Sequence, residues 1–567
     1  MKFGMKAGFL ALALVACGKD QSTSQLHTPP LTAAQGLEEL HAIVSKVKAL
    51  YGPLEFKEER FGYTLADLVT KAETEIKAAT NDQQTMAAYV RFLMSFRDGH
   101  VGIRFKGNNT EIKSYKLPFY LVPVEGKAIV AKVGITLSAQ GVSVGQELIS
   151  IDGQNPIDLQ KQISVYKSFG NEVSDRHALA YVTNRAFFME GLLPTQPYAT
   201  LKFQDAAGEV IEAKAPWEIV KDDTTKFELA GPKSKSGLNF TVGEYAEMKQ
   251  MGEGSLMQMG AYKPYFATDS VKAVYDFIEV QPSDEYLKKY NVTREKIKDA
   301  NGEAIYAALY KYNGKTVLLV RQPGYYPETL QTTDLLNGYR AILDQYDSVA
   351  DVLVIDQNHN PGGSLDYAEG FFSLFINKPA LALVQHVNAD RQWIYDFNEW
   401  ATLVEPIEPA FAAVVRARAE LVEQAMDQGK SITEPMPLVG FEYVQPDAQY
   451  TWKKPILVLA DELAGSCGDI FPMYMKRNNI AKIFGERTMG LGGNVEEVIT
   501  LPYSVATVRM TRGLFTTYKP DGRYTNEELV ENNGILPDIH HEVTVNDFRQ
   551  GFVDYVKAFS EEATKLQ

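Results

Sequence analysis

Ser466 stands where a side chain could do nucleophilic chemistry. The segment from Pro455 to Met475 reads PILVLADELAGSCGDIFPMYM. It opens with an apolar run, Ile456 to Ala460, short and aliphatic as a buried strand is. Ile470, Phe471, Met473 and Tyr474 then follow an amphipathic helical pattern. Between the two lies Ala464-Gly465-Ser466-Cys467-Gly468-Asp469, whose small residues let a strand turn sharply into a helix. A side chain at such a turn meets free backbone N–H groups and the positive end of the helix dipole, where developing negative charge is favoured. The chemistry is attack by the Ser466 hydroxyl, with the Cys467 N–H facing an oxyanion. The competing use of the same residue is a plain helix N-cap.

A serine hydroxyl needs a base, and two histidines fall at turns. Asp98-Gly99-His100 separates a helical stretch from Val101 to Phe105, which alternates like a strand. His100 could equally be a turn histidine bonded to Asp98. His359 lies in Asp356-Gln357-Asn358-His359-Asn360-Pro361-Gly362-Gly363-Ser364, after the buried strand Val352 to Ile355.

The elements that must position these residues can be read along the chain. At 567 residues, two to four domains are expected, and 45% apolar content is ordinary for full cores. Lys plus Arg total 57 against 72 Asp plus Glu, a net charge of −15 that argues against a nucleic-acid surface. Lys2 and Lys6 precede the short apolar run Ala7 to Ala16, a targeting segment. It ends in Leu14-Val15-Ala16-Cys17, which resembles a bacterial lipobox. The resemblance implies a lipid on Cys17, and Gly18 after it implies passage to the outer membrane of a cell envelope. Acylation of Cys17 would leave Cys467 without a disulfide partner.

The expected organisation is therefore a lipoprotein signal peptide over 1–17 and a polar tether over 18–33. A helical region over 34–112 carries His100, with Asn81-Asp82 capping its third helix. A β-rich module spans 113–216, an insertion 217–310, an α/β core 311–545 and a C-terminal helix 546–567. The stretch Pro409 to Met426 reads as a helical surface insertion within the core. The run from Gln140 to Gly153, QGVSVGQELISIDG, resembles the signature of a PDZ domain, with Leu117 to Tyr120 near its peptide-binding edge strand. Such a domain adds a peptide as an extra strand and captures its C-terminus.

Four motifs in order carry a wider resemblance: VLVIDQNHNPGG, PILVLADELAGSCGDIF, IFGERTMGLGG and ENNGILPDI. Together they resemble the tail-specific, or C-terminal processing, serine peptidases and the tricorn core, over roughly Leu37 to Val545. The resemblance implies a multidomain protein of α/β and α+β class. Its parts are an N-terminal helical domain, a PDZ-like module and a ClpP/crotonase-like α/β peptidase core. It makes Ser466 the nucleophile and pairs Cys467 with Gly362 or Gly363 as oxyanion donors. The tail-specific branch has its general-base lysine where this chain has Leu491, which cannot accept a proton. The tricorn-like branch, and in pattern the chlamydial protease-like activity factors, use a histidine and a glutamate instead. Those positions fall on His100, supported by Asp98, and on Glu531, with Glu527 and Glu528 as neighbouring alternatives. His359 is a rival base off the family position. Attack by the Cys467 thiol is a third reading, at odds with a family position that holds a small residue.

The expected function is a serine endopeptidase acting on proteins or peptides through a Ser466–His100–Glu531 relay, without metal or cofactor. Its partners are substrates, a membrane through the Cys17 lipid and, as a candidate, a second copy of the chain. The alternative is a lipid-anchored peptide-binding pseudoprotease that lost catalysis with the lysine.

Overall fold

The strands Val352–Asp356 and Ile456–Ala460 are buried along their whole length, as unbroken aliphatic runs in a parallel sheet require. The computed structural model describes residues 30–105, 114–220, 263–298, 304–325, 332–437, 442–516 and 528–567. The two strands sit within a seven-stranded sheet ordered Ile278–Val280, Ala307–Tyr312, Lys315–Arg321, Val352–Asp356, Ile456–Ala460, Lys482–Gly485 and Ile539–His540. The first two pairings are antiparallel and the rest parallel. Parallel neighbours need crossovers, which carry the helices Thr332–Asp347, Leu365–Ser373 and Cys467–Arg477. Tyr339, Phe371 and Phe471 pack in the core on the face these helices cover. Phe266, Tyr555 and Phe559 share a second core with the strand residues Val354 and Leu457. The sheet starts before residue 311: Ile278–Val280 lies in the stretch read as an insertion, and Ala307–Tyr312 crosses its end. Ile278–Val280 has two exposed residues and no apolar run, so periodicity could not find it. The single C-terminal helix expected is two, Val545–Gln550 and Val553–Lys565, broken where Gly551 and Phe552 both take φ +67°.

The N-terminal helices are four where three were expected, Ala33–Leu50, Leu54–Phe61, Leu65–Ala78 and Asp82–Met94, with Leu54–Phe61 the additional one. Asn81 caps the last of them, its side chain accepting the Gln84 N–H at 3.0 Å. Leu40, Ile43 and Val47 bury the stripe of the first helix against Tyr89 and Phe92, and the same core reaches Val508 and Met510. That contact is reinforced by a ladder. The strand Gly102–Arg104 pairs antiparallel with Thr507–Thr511, which pairs with Val495–Thr500. The turn holding His100 is thereby tied to a hairpin that begins four residues after Leu491.

A five-stranded antiparallel sheet follows, ordered Phe119–Val124, Lys127–Val133, Glu147–Ile151, Tyr198–Gln204 and Val210–Pro216. Tyr198–Gln204 alternates exposed and buried residues, as a half-covered strand must. Phe119–Val124 is the edge strand near which the sequence placed peptide binding. The stretch read as a surface insertion is the helix Pro409–Asp427. Its partner Arg391–Val404, unread in the sequence, packs on it through Trp393, Phe397 and Val415. Among the described residues, no helix is long and apolar enough to cross a membrane.

Candidate active site

Ser466 directly precedes the helix Cys467–Arg477 at φ +56° and ψ −120°, and its side chain makes no capping bond. The capping role is therefore not the one it fills. A non-glycine residue here is strained, and such strain persists only where the surroundings impose it. The surroundings are backbone bonds from Gly465 N to Asn360 O at 2.9 Å and from Met489 N to Ala464 O at 2.7 Å. Space is equally tight. A Cβ on Gly468 would lie 2.3 Å from Asn360 O, and one on Gly362 would lie 2.6 Å from Ser466 Cβ. The Pro-Gly-Gly turn thus lies directly against the serine turn. Gly362 N–H donates to Asn360 Oδ1 at 2.9 Å, so of the two glycines Gly363 has the N–H left to offer beside that of Cys467. The Cys467 thiol donates to Gly363 O at 3.1 Å. Burial, and then Glu369, push its pKa well up, which keeps it a thiol rather than a nucleophilic thiolate.

His100 is 7% exposed and its Nδ1 has no hydrogen-bond partner. Its backbone is fixed on both sides: its N–H donates to Asp98 Oδ1 at 2.8 Å and its carbonyl accepts from Arg509 Nε at 2.9 Å. Burial lowers the imidazole pKa to about 4, with Asp98 opposing and Arg509 and Lys57 assisting. The ring is neutral at pH 7, the form in which it can take a proton. Asp98 Oδ2 accepts from Tyr51 at 3.0 Å and from the Thr511 hydroxyl at 2.8 Å, so a buried carboxylate anchors the turn to a helix end and a strand. The expected Asp98–His100 bond is made through the backbone and not the ring.

Glu531 is fully buried. Its carboxylate accepts from Gly492 N at 2.8 Å and from Lys57 Nζ, and it makes no bond to His100. Lys57, also 0% exposed, donates further to Asn532 Oδ1 at 2.6 Å and to Arg97 O at 3.1 Å. Burial, and then Asp98, raise the Glu531 carboxyl to about 7, and Lys57 acts against them. Asp98, His100, Glu531 and Lys57 are thus one electrostatic cluster. Lys57 was missed in the sequence, where it is one more charge in a short helix. Glu528 accepts a bond at its backbone carbonyl from Thr516, while Glu527 and Cys17 lie outside the described residues.

Leu491 lies between the histidine turn and the serine turn. Its Cδ2 would be 2.6 Å from a Cβ on Gly99 and its Cδ1 2.8 Å from one on Gly465. A single leucine therefore touches both the histidine turn and the serine turn. Asp469 holds it there, accepting Leu491 N at 2.9 Å and Gly490 N at 2.8 Å. His359 is engaged elsewhere. Its Nδ1 meets Asp461, its N–H donates to Asp461 Oδ1 at 2.8 Å and its ring stacks on Tyr265 at 4.9 Å.

Residues 330–541 match the sequence model of peptidase family S41. Those residues thus form a peptidase family S41 domain, of the protease class. Individual relatives extend the likeness over nearly the whole chain. An uncharacterized protein of Chlamydia muridarum (strain MoPn / Nigg) is 24% identical over 579 residues, 94% of this chain and 93% of that protein. The structure of mature CPAF complexed with lactacystin is 21% identical, with a TM-score of 0.71 over 94% of this chain and 98% of that one. A CPAF mutant is 22% identical, with a TM-score of 0.73 over 94% and 97%. The fold shared with CPAF therefore includes the regions outside 330–541.

Proposed function

We propose that the chain is a serine endopeptidase in which Ser466 attacks a peptide carbonyl and His100 takes the hydroxyl proton. The bond from Ser466 Oγ to the carbonyl carbon forms, and the oxyanion is received by the N–H groups of Cys467 and Gly363. The tetrahedral intermediate expels the amine, which takes its proton from His100, leaving an acyl-enzyme. Water, activated by His100, then releases the acid and restores Ser466. Asp98 fixes the histidine turn. Glu531 serves as the carboxylate that balances the imidazolium. The observation that carries this reading is the strained backbone of Ser466, at φ +56° and ψ −120° directly before the helix Cys467–Arg477, with no side-chain capping bond. The PDZ-like sheet would present substrate along Phe119–Val124, and a lipid on Cys17 would hold the enzyme at the outer membrane.

Ser466→Ala should abolish both peptide hydrolysis and labelling by a fluorophosphonate, while Cys467→Ala keeps the labelling. Labelling that persists in Ser466→Ala would refute the assignment. Cys17→Ser should move the mature protein from the membrane to the soluble fraction; an unmodified mature N-terminus in the wild type, read by mass spectrometry, would remove the anchor.

Two features favour a second reading, a peptide-binding pseudoprotease. Leu491 fills the place of the family lysine, and Glu531 engages Lys57 rather than the His100 ring. On that reading the wild type binds peptides and takes up no fluorophosphonate.

A further inference from the structure

The last strand of the large sheet carries a cluster that peptide hydrolysis does not use. Ile539–His540 pairs with Lys482–Gly485, placing Gly485 opposite His540. Glu486 follows at once, its N–H donating to Ala460 O at 3.0 Å, while His541 N donates to Gly485 O at 2.9 Å. Both backbones are thus fixed. His540 and Glu542 are two residues apart, so on extended chain they leave on the same side. One ligand atom from each of Glu486, His540 and Glu542 lies within 4.8 Å of the others.

Glu486 is 7% exposed, and its buried Oε1 rests against His540 Nε2 in a contact that lacks hydrogen-bond geometry. Glu542 Oε1 is 4.0 Å from the same nitrogen. Arg176 approaches Glu486 at 3.8 Å, beyond hydrogen-bond distance. Glu462, which belongs to His177, and Glu542 both add like charge to its surroundings. A buried carboxylate among others is costly unless paired or bound to metal.

We propose that Glu486, His540 and Glu542 bind one divalent transition-metal cation of the zinc class. One imidazole nitrogen and two carboxylate oxygens form a borderline donor set that suits zinc and leaves a position for water. Calcium would need six or more oxygens, and magnesium a near-ideal octahedron. The ion would clip the edge strand to the end of Lys482–Gly485, and the site stands whether or not Ser466 is a nucleophile.

The test is zinc chloride titrated calorimetrically into the chelator-treated, dialysed full chain, with melting followed in parallel. The wild type should bind one equivalent and gain in melting temperature as zinc rises. His540→Ala and Glu542→Gln alter exposed side chains and should keep the fold by circular dichroism. Each should weaken binding by roughly tenfold or more and lose the melting shift. His41→Ala, which removes an exposed histidine on the first helix, should behave as wild type. The proposal is overturned if the wild type binds no zinc, if both ligand variants bind as tightly as wild type, or if the loss appears in His41→Ala.

Discussion

His100 pairs low basicity with a protected position, and the balance sets how the reaction should respond to pH. A base whose pKa is about 4 is neutral throughout the neutral range, but it is a weak proton acceptor. A carboxylate beside the ring strengthens it: Asp98 already acts in that direction, and Glu531 is a second buried acid in the cluster, with its carboxyl raised to about 7. If Glu531 must be ionised for the relay, kcat/KM should rise through two steps with increasing pH, one near 4 for His100 and one near 7 for Glu531. Glu531→Gln should weaken catalysis, with a smaller loss than Ser466→Ala, and should erase the upper step. Glu528→Gln should leave the profile intact. A profile for Glu531→Gln that keeps the step near 7 would assign that step, and the carboxylate role, to another group. Lys57 explains how such a carboxylate tolerates burial: it supplies the opposite charge and orients the same oxygen it neutralises.

Leu491 joins two elements that are 366 positions apart, from Gly99 to Gly465. Gly99 has room for no side chain, since a Cβ there would meet Leu491 Cδ2 at 2.6 Å and Phe169 O at 2.8 Å. Gly99→Ala should therefore push the histidine turn off the serine turn and lower kcat with little change in the far-UV spectrum. Leu491→Ala removes packing from both turns and should destabilise by about 2–5 kcal/mol, read from urea unfolding. The double variant relieves the clash with Leu491 and not the one with Phe169, so kcat should recover in part. No recovery would mean the Phe169 contact alone sets the position of His100. This also shows what the residues alone could tell. The serine turn was legible because strand, small residues and helix are adjacent in the chain. Leu491 was legible only as an absent lysine, since its role as a spacer depends on contacts made by Gly99 and Gly465. Lys57 was illegible for the same reason: a lysine in a short helix reads as surface until Glu531, 474 positions later, folds onto it. The edge strand Ile278–Val280 escaped because it is three residues long with two of them exposed, whereas the helix Arg391–Val404 went unread although Trp393, Phe397 and Ala401 recur at helical spacing.

Across the whole molecule, the buried cluster should appear in stability as well as in catalysis. His100 has its pKa lowered from the ordinary 6.5 to about 4. Its contribution is complete above 6.5 and is lost as pH falls through 4, because the unfolded chain takes up the proton first. Glu531 has its pKa raised from 4.5 to about 7. Its contribution is complete below 4.5 and is lost as pH rises through 7, because the folded chain holds the proton longer. Each shift corresponds to roughly 3 kcal/mol between the two limits. Between pH 4.5 and 6.5 the two slopes oppose each other, so the wild type should show a nearly flat stability there from this pair. Removing one group exposes the other. His100→Gln should lose stability as pH rises from 4.5 to 7, and Glu531→Gln should lose it as pH falls from 6.5 to 4. The net charge of −15 adds a common background to all three proteins, which cancels when their curves are subtracted. Urea midpoints at half-unit steps from pH 4 to 8 would measure this. Parallel curves for both variants and the wild type would mean that neither group titrates with the fold, and that the cluster is held by packing rather than by charge.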